Sequence, residues 1–228
     1  MTTTEMVVMF YDLLETANPV FRTSGERPIT EVVIQYLNEE QVKLFNNRYL
    51  PSNFLENIQT IKSLKNELKD LLSSSTPALS SGTRFDYSKT FPWSTETTFV
   101  EGTISITRNG YPTAGNPVKV DLVPIFDFNV NKYITNHINK PIILQPVLFV
   151  DRLTGVDGVY CIMYDAFTAV SSATVTVLNK PALINLSGQN CQLHAKLHEQ
   201  IVRNAVTTFL VDKTILTPKK DGSTRDAV

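Results

Sequence analysis

Residues Thr174–Thr214, TVTVLNKPALINLSGQNCQLHAKLHEQIVRNAVTTFLVDKT, contain the change of pattern on which the fold turns. The β-branched run from Ala173 to Leu178 reads as a strand, and Lys180-Pro181 ends it because proline cannot donate to a sheet ladder. A polar loop follows. Leu193, Leu197, Ile201, Ala205 and Phe209 then recur on one stripe and predict a helix over about Gln192–Lys213. A strand handing over to an amphipathic helix predicts a packed, layered scaffold, and no residue in the stretch stands out as a centre of chemistry.

Upstream, the front of the chain reads as helices. Thr2 and Glu5 have capping-box spacing, and Met6, Phe10, Leu13, Leu14 and Ala17 share a face until Asn18-Pro19. A second helix is predicted from about Thr30 to Tyr49 on the stripe Val33, Leu37, Leu44 and Phe45. Pro51 breaks it, and Ser52 caps a third helix running to about Leu72 through Leu55, Ile58, Ile61, Leu64, Leu68 and Leu71. Residues 73–83, SSSTPALSSGT, read as a linker too polar to pack. Beyond it the period falls to two. Thr98–Thr107 is a strand followed by a turn at Arg108-Asn109-Gly110, and Val118–Phe128 is a strand that Pro124 marks as an edge or bulge. Residues 129–139 have weak helical character, and Ile142–Asp151 and Gly158–Asp165 form a hairpin through LTGVDG.

The expected fold class is therefore α+β. A helical hairpin or bundle occupies 1–72, the linker 73–83, and a β-rich domain 84–186 forms an antiparallel sheet or sandwich of roughly five to seven strands. A C-terminal helix over 187–214 packs back on the helical part, and 215–228 is a polar tail or arm.

Composition narrows the function classes. Among 228 residues, 42% are apolar, and 21 basic groups face 22 acidic ones, so no broad attraction to nucleic acid is expected. Residues 1–75 carry 7 basic and 10 acidic groups and 186–228 carry 6 and 4, an acidic front and a faintly basic back. Cys161 and Cys191 are too few for a disulfide framework and read as reduced, buried thiols. Met6–Phe10 lacks the basic flank of a signal peptide, and no run approaches the roughly 20 apolar residues of a membrane span. The expectation is synthesis in a reducing cytoplasm, where the sequon at Asn185-Leu186-Ser187 has no use.

Few residue sets suggest chemistry. Cys191, His194 and His198 would share one helix face if the helix began at Cys191, a zinc-like spacing with no fourth ligand and no HExxH pattern. A metallohydrolase built on them is the weakest reading. No GxSxG or glycine-rich phosphate loop is present, and Cys161 sits inside the apolar run GVYCIMY, where core packing is expected. Asp151 and Asp157 flank a loop and read as turn residues in preference to calcium ligands. Phe85, Tyr87, Phe91, Trp93 and Phe99 would make a stacking platform for nucleic acid, but Arg84 and Lys89 are a thin basic complement. Core or subunit-interface packing is preferred for them. No catalytic residue, cofactor or metal is assigned.

The order of segments carries a resemblance. ITEVVIQYLNEEQVKLFNNRYL comes early, a β-rich middle with INKPIILQPVLF follows, and VTVLNKPALINL leads through a polar loop into LHEQIVRNAVTTFL. This resembles the neck ring, or head-to-tail connector, proteins of tailed bacteriophages of the crAss-like type that infect Bacteroidetes. The matching residues are Val175, Val177, Leu178, Lys180, Pro181, Ile184 and Leu186, then Leu197, His198, Glu199, Ile201, Val202, Ala205 and Val206. The Ser-rich linker and the extra CQLHAK depart from that pattern and leave open which ring of the neck is meant.

The resemblance implies a virion protein without enzymatic activity. It would be assembled in the host cytoplasm as a dodecameric ring that joins portal to tail, contacts the portal protein and adjacent neck or tail rings, and lets viral DNA pass without specific binding. Glu39 and Glu40 are candidate channel-lining acids, Trp93 a candidate contact, and Thr217, Lys219, Lys220 and Arg225 a candidate docking arm. The alternative is a β-sandwich binding module of a virion or cell surface that recognises glycan or protein.

Overall fold

The computed structural model describes residues 1–23, 27–50, 54–82, 86–94, 96–108, 118–125, 146–151, 159–164 and 168–216. The expected α+β class holds. The chain divides into two compact units, Met1–Ser52 with Pro181–Val228, and Asn53–Lys180. The division does not fall at the serine-rich stretch. The third helix joins the β-rich unit, and the C-terminal helix joins the front helices.

The first unit packs α1 (Thr3–Ala17), α2 (Val20–Thr23) and α3 (Thr30–Tyr49) with the C-terminal helix α5 (His198–Leu216). Thr2 and Glu5 form the expected reciprocal capping box at the start of α1. The core holds Met6, Phe10 and Leu14 of α1, Val33, Leu37, Phe45 and Tyr49 of α3, and Ile201, Val202, Ala205 and Phe209 of α5. Phe209 is its hub. Its ring meets Phe10 edge-on at 5.9 Å and Tyr36 at 5.4 Å, and lies tilted against Phe21 at 6.0 Å.

The C-terminal helix begins later than its stripe suggests. Cys191 and Leu193 are buried in irregular chain before the helix, and a single 3-10 turn, Ala195–Leu197, precedes α5. His194 caps that turn through Nδ1, which accepts from the Lys196 amide at 3.3 Å. His194 has non-helical backbone (φ −55°, ψ 139°), so the ladder cannot extend back to Gln192, and the Leu193 carbonyl accepts from His198 Nε2 at 2.7 Å.

The second unit contains α4 (Phe54–Ser63) and nine strands among the described residues: β1 (Leu72–Ser75), β2 (Ser80–Ser81), β3 (Ser88–Pro92), β4 (Thr97–Arg108), β5 (Val118–Asp121), β6 (Val123–Pro124), β7 (Val147–Asp151), β8 (Val159–Met163) and β9 (Thr168–Asn179). One sheet has the order β1-β9-β4-β5 and the other β2-β3-β8-β7-β6, antiparallel throughout except for β6 beside β7. Phe99, Ile104, Val120, Ala173 and Val175 of the first sheet share a core with Phe91, Leu148, Tyr160 and Ile162 of the second, which makes the unit a sandwich. Ile58 of α4 joins that core. Val147, Phe149, Cys161 and Met163 are also buried, in a second cluster with Ile125, so β7 and β8 read as apolar runs with little alternation.

Three expectations need correction here. The supposed linker supplies two strands at sheet edges: Leu72–Ser75 pairs with 175–178 and Ser80–Ser81 pairs with 89–90. An edge strand needs only backbone bonds on one side, so exposed serines serve, and Ser74 and Thr176 add a hydroxyl pair at 2.8 Å. The third helix stops at Ser63, whose hydroxyl donates to the Thr60 carbonyl at 2.8 Å, and successive turns carry the chain on to bury Leu68 and Leu71. The run Val118–Phe128 is not one strand. The Leu122 amide donates to Gly102 of the first sheet and the Val123 amide to Pro146 beside the second, so the chain changes sheets between them, and Pro124 takes the edge. The turn at 109–110, the weak helix at 129–139 and the loop 152–158 lie outside the described residues.

His198 makes the helical unit sensitive to acid. With Nε2–H donating to Leu193, Nδ1 is the acceptor and faces the Met1 amino group at 3.0 Å. Burial, and then the positive amine and His194, hold its pKa below the ordinary 6.5, against the pull of the Leu193 bond. A base whose folded pKa is depressed contributes stability that is present above 6.5 and lost as pH falls through the window below it. Thermal melting of the wild type should therefore drop between about pH 7.5 and about pH 5, and His198→Asn should flatten that slope. Equal slopes in the two proteins would contradict the assignment.

Candidate interaction surface

The segment 181–194 runs through the first unit without regular structure, yet Pro181, Ile184, Cys191 and Leu193 are buried. Buried backbone in such a segment must find partners among side chains. Asn38 of α3 provides two: its Oδ1 accepts the Ile184 amide at 2.6 Å, and its Nδ2 donates to the Ile184 carbonyl at 3.0 Å. Gln41, one turn on and fully buried, donates to the Ala182 carbonyl at 3.0 Å. Gln192 accepts the Ala182 amide at 2.7 Å, and Thr3 of α1 reaches the Gln189 carbonyl and the Asn190 side chain. Gly188, at φ +116°, turns the chain between these anchors.

Because Ile184 is held inward, Leu183 is forced outward, 62% exposed. Beside it runs a shallow groove of about 700 Å3, with Glu31, Ile34, Gln35, Asn38, Glu39, Val42 and Lys43 of α3 on one side and Leu183 on the other. These α3 positions recur three and four residues apart, so the helix carries a second stripe besides its core stripe. Lys43 is ion-paired with Glu40 at 2.7 Å, which leaves Glu31 and Glu39 as the acidic members of the rim.

Of the residues singled out in the sequence, Glu39 is exposed on this groove. Glu40 is not available to a channel. It is 6% exposed, bound by Lys43 and by the Thr208 hydroxyl at 3.1 Å, and it works as a core anchor between α3 and α5. Trp93 is half-buried against the sandwich core, edge-on to Tyr160 at 6.0 Å. Phe91 and Phe99 are buried and Tyr87 is exposed, so these four do not form one stacking platform. Phe85, Thr217, Lys219, Lys220 and Arg225 lie outside the described residues, as does Asp157.

Cys191, His194 and His198 do not come together as a helix-face ligand set, because Cys191 precedes the helix. Among the described residues no three His, Cys, Asp or Glu side chains are gathered as metal ligands would be. The Cys191 thiol is pushed up to about 11 by burial, which keeps it protonated at neutral pH. Among the described residues no helix is long and apolar enough to cross a membrane. No protein-family model and no curated protein matches the chain.

The Asn38 and Gln41 amides were the missed signal. Gln41 stands one turn after Leu37 on a core stripe, and a polar residue there needs a partner from elsewhere in the chain. Asn38→Ala strips both bonds from the Ile184 backbone and should lower unfolding free energy by about 1–3 kcal/mol. Urea denaturation measures it, and a loss under about 0.5 kcal/mol would show that water replaces the amide without penalty.

Proposed function

We infer that the chain is a non-enzymatic structural subunit of the neck of a tailed bacteriophage. It forms an oligomeric ring, dodecameric in keeping with the portal, that joins portal to tail and extends the channel for DNA. The observation that carries this reading is the position of the residues behind the resemblance. Of those in the first unit, Pro181, Ile184, Leu197, His198, Ile201, Val202, Ala205 and Val206 are buried, around the anchored segment and along α5, while Leu186 and Glu199 are exposed; Val175 and Leu178 are buried in β9, and Lys180 after it is exposed. A motif of buried contacts serves a scaffold, whereas reactive groups must meet substrate.

Ring formation asks for complementary outer patches, which a rigid helical unit with a lined groove can provide. The acidic excess of residues 1–75 suits a surface near DNA, because basic groups would hold the strand instead of letting it slide. Glu39, exposed on α3, is the member of the expected acidic pair that can take such a role. Localisation in the virion neck and contact with the portal protein and adjacent rings belong to the same reading.

Native mass spectrometry and electron microscopy of the purified chain, alone and mixed with a portal protein of the proposed neck, test the reading. A closed ring of portal-matched symmetry is expected in at least one of the two samples. A protein that stays monomeric in both would overturn it.

A further inference from the structure

A ring built by one kind of contact needs two different patches on the same chain, one for each neighbour. The α3 groove offers an acidic rim and an apolar floor. On α5, Glu199, Arg203, Thr207 and Val211 are exposed and recur every four residues, so one outward face runs from an ion pair to a valine. Both patches belong to the same compact unit.

Their dimensions agree. Arg203 and Val211 are eight residues apart, about 12 Å along a helix. In the groove, Glu31 lies toward one end. The bonds from Asn38 and Gln41 to the chain on either side of Leu183 set that leucine level with residues 38–41, roughly 10–15 Å from Glu31 along the helix axis. Val42 adds an apolar contact at that end, with Glu39 and the paired Lys43 on its rim.

The charges are free to meet. Lys43 is occupied by Glu40 and does not cancel Glu31. Arg203 is bonded to Glu199 on its own helix, but both side chains are more than half exposed (59% and 58%), and such a pair exchanges partners at little cost. Bonds from Asn38 and Gln41 fix the backbone on either side of Leu183, so a partner that covers it has little backbone ordering entropy to overcome there.

We propose that in the assembled ring the outward face of α5 of one copy lies along the α3 groove of the next, with Arg203 against Glu31 and Val211 against Leu183 and Val42. This rests on the ring reading and specifies the contact that closes it. Thr207 falls opposite Ile34 in this register, so a methyl group and not a charge meets the floor of the groove.

The test uses the full chain with Glu31→Arg, Arg203→Glu, the double variant, and Leu183→Glu. Native mass spectrometry and sedimentation read assembly, and thermal melting confirms folding, since all three positions are outside the buried core. Each single variant should raise the concentration for half-assembly by about tenfold or more. The double variant should recover most of that loss, because every contact contains one residue of each kind. Wild-type rings accompanied by single variants that assemble equally well would overturn this contact and leave the ring reading intact. So would a double variant no better than the worse single one. A wild-type chain that never assembles, with or without the portal protein, would overturn both.

Discussion

The helical unit depends on side chains satisfying the backbone of a segment that has no ladder of its own. Asn38 bonds both polar groups of Ile184, 146 residues away in sequence, and Gln41 holds Ala182. The same segment receives Thr3 from α1 and His198 from α5. Three helices are thus referred to one stretch of chain, and the apolar core around Phe209 closes against them. Each buried polar group left without a partner would cost about 1–3 kcal/mol, a large part of the stability of a small domain. The bonds therefore do more than decorate the packing: they make burial of Pro181, Ile184 and Leu193 possible.

How legible this was in the sequence depends on whether the deciding interaction was local. The capping box of α1 and the span Thr30–Tyr49 of α3 were readable because Thr2, Glu5 and Pro51 act within a turn or two of their own positions. The pairing of serines 73–75 with β9 was not, because it rests on a strand a hundred residues away and on backbone bonds that leave no pattern in the sequence. Leu193 was read as part of the helical stripe. It is buried as expected, but from the irregular chain before the helix, where its carbonyl meets His198. The sheet change at Leu122-Val123 shows the same limit, for a run that alternates cleanly can still divide its ladder between two sheets.

The candidate site was legible only in part. Its apolar members, Ile34, Val42 and Leu183, look unremarkable in a sequence, and Leu183 becomes conspicuous only when Ile184 is seen to be fastened inward. Glu39 and Glu40 are adjacent acids with opposite fates, set by the 100° step between neighbouring residues on a helix: one faces solvent and the other meets Lys43 and Thr208. Cys191 and His198 suggested chemistry by their types, yet burial and the Leu193 carbonyl make them packing residues. The expected arm from Thr217 onward lies beyond the described residues and adds nothing to these comparisons.

In this account the chain works through rigid, shaped surfaces, and the anchored segment is what makes one of them rigid. Amide hydrogen exchange of the wild-type protein, read residue by residue by NMR, tests that claim most directly. The Ile184 amide, whose acceptor is the Asn38 side chain, should exchange as slowly as amides in the middle of α3 and α5, while the exposed Leu186 nearby exchanges freely. Exchange of Ile184 at the rate of an open loop would contradict the account, because the segment would then be resting on the helices and not holding them.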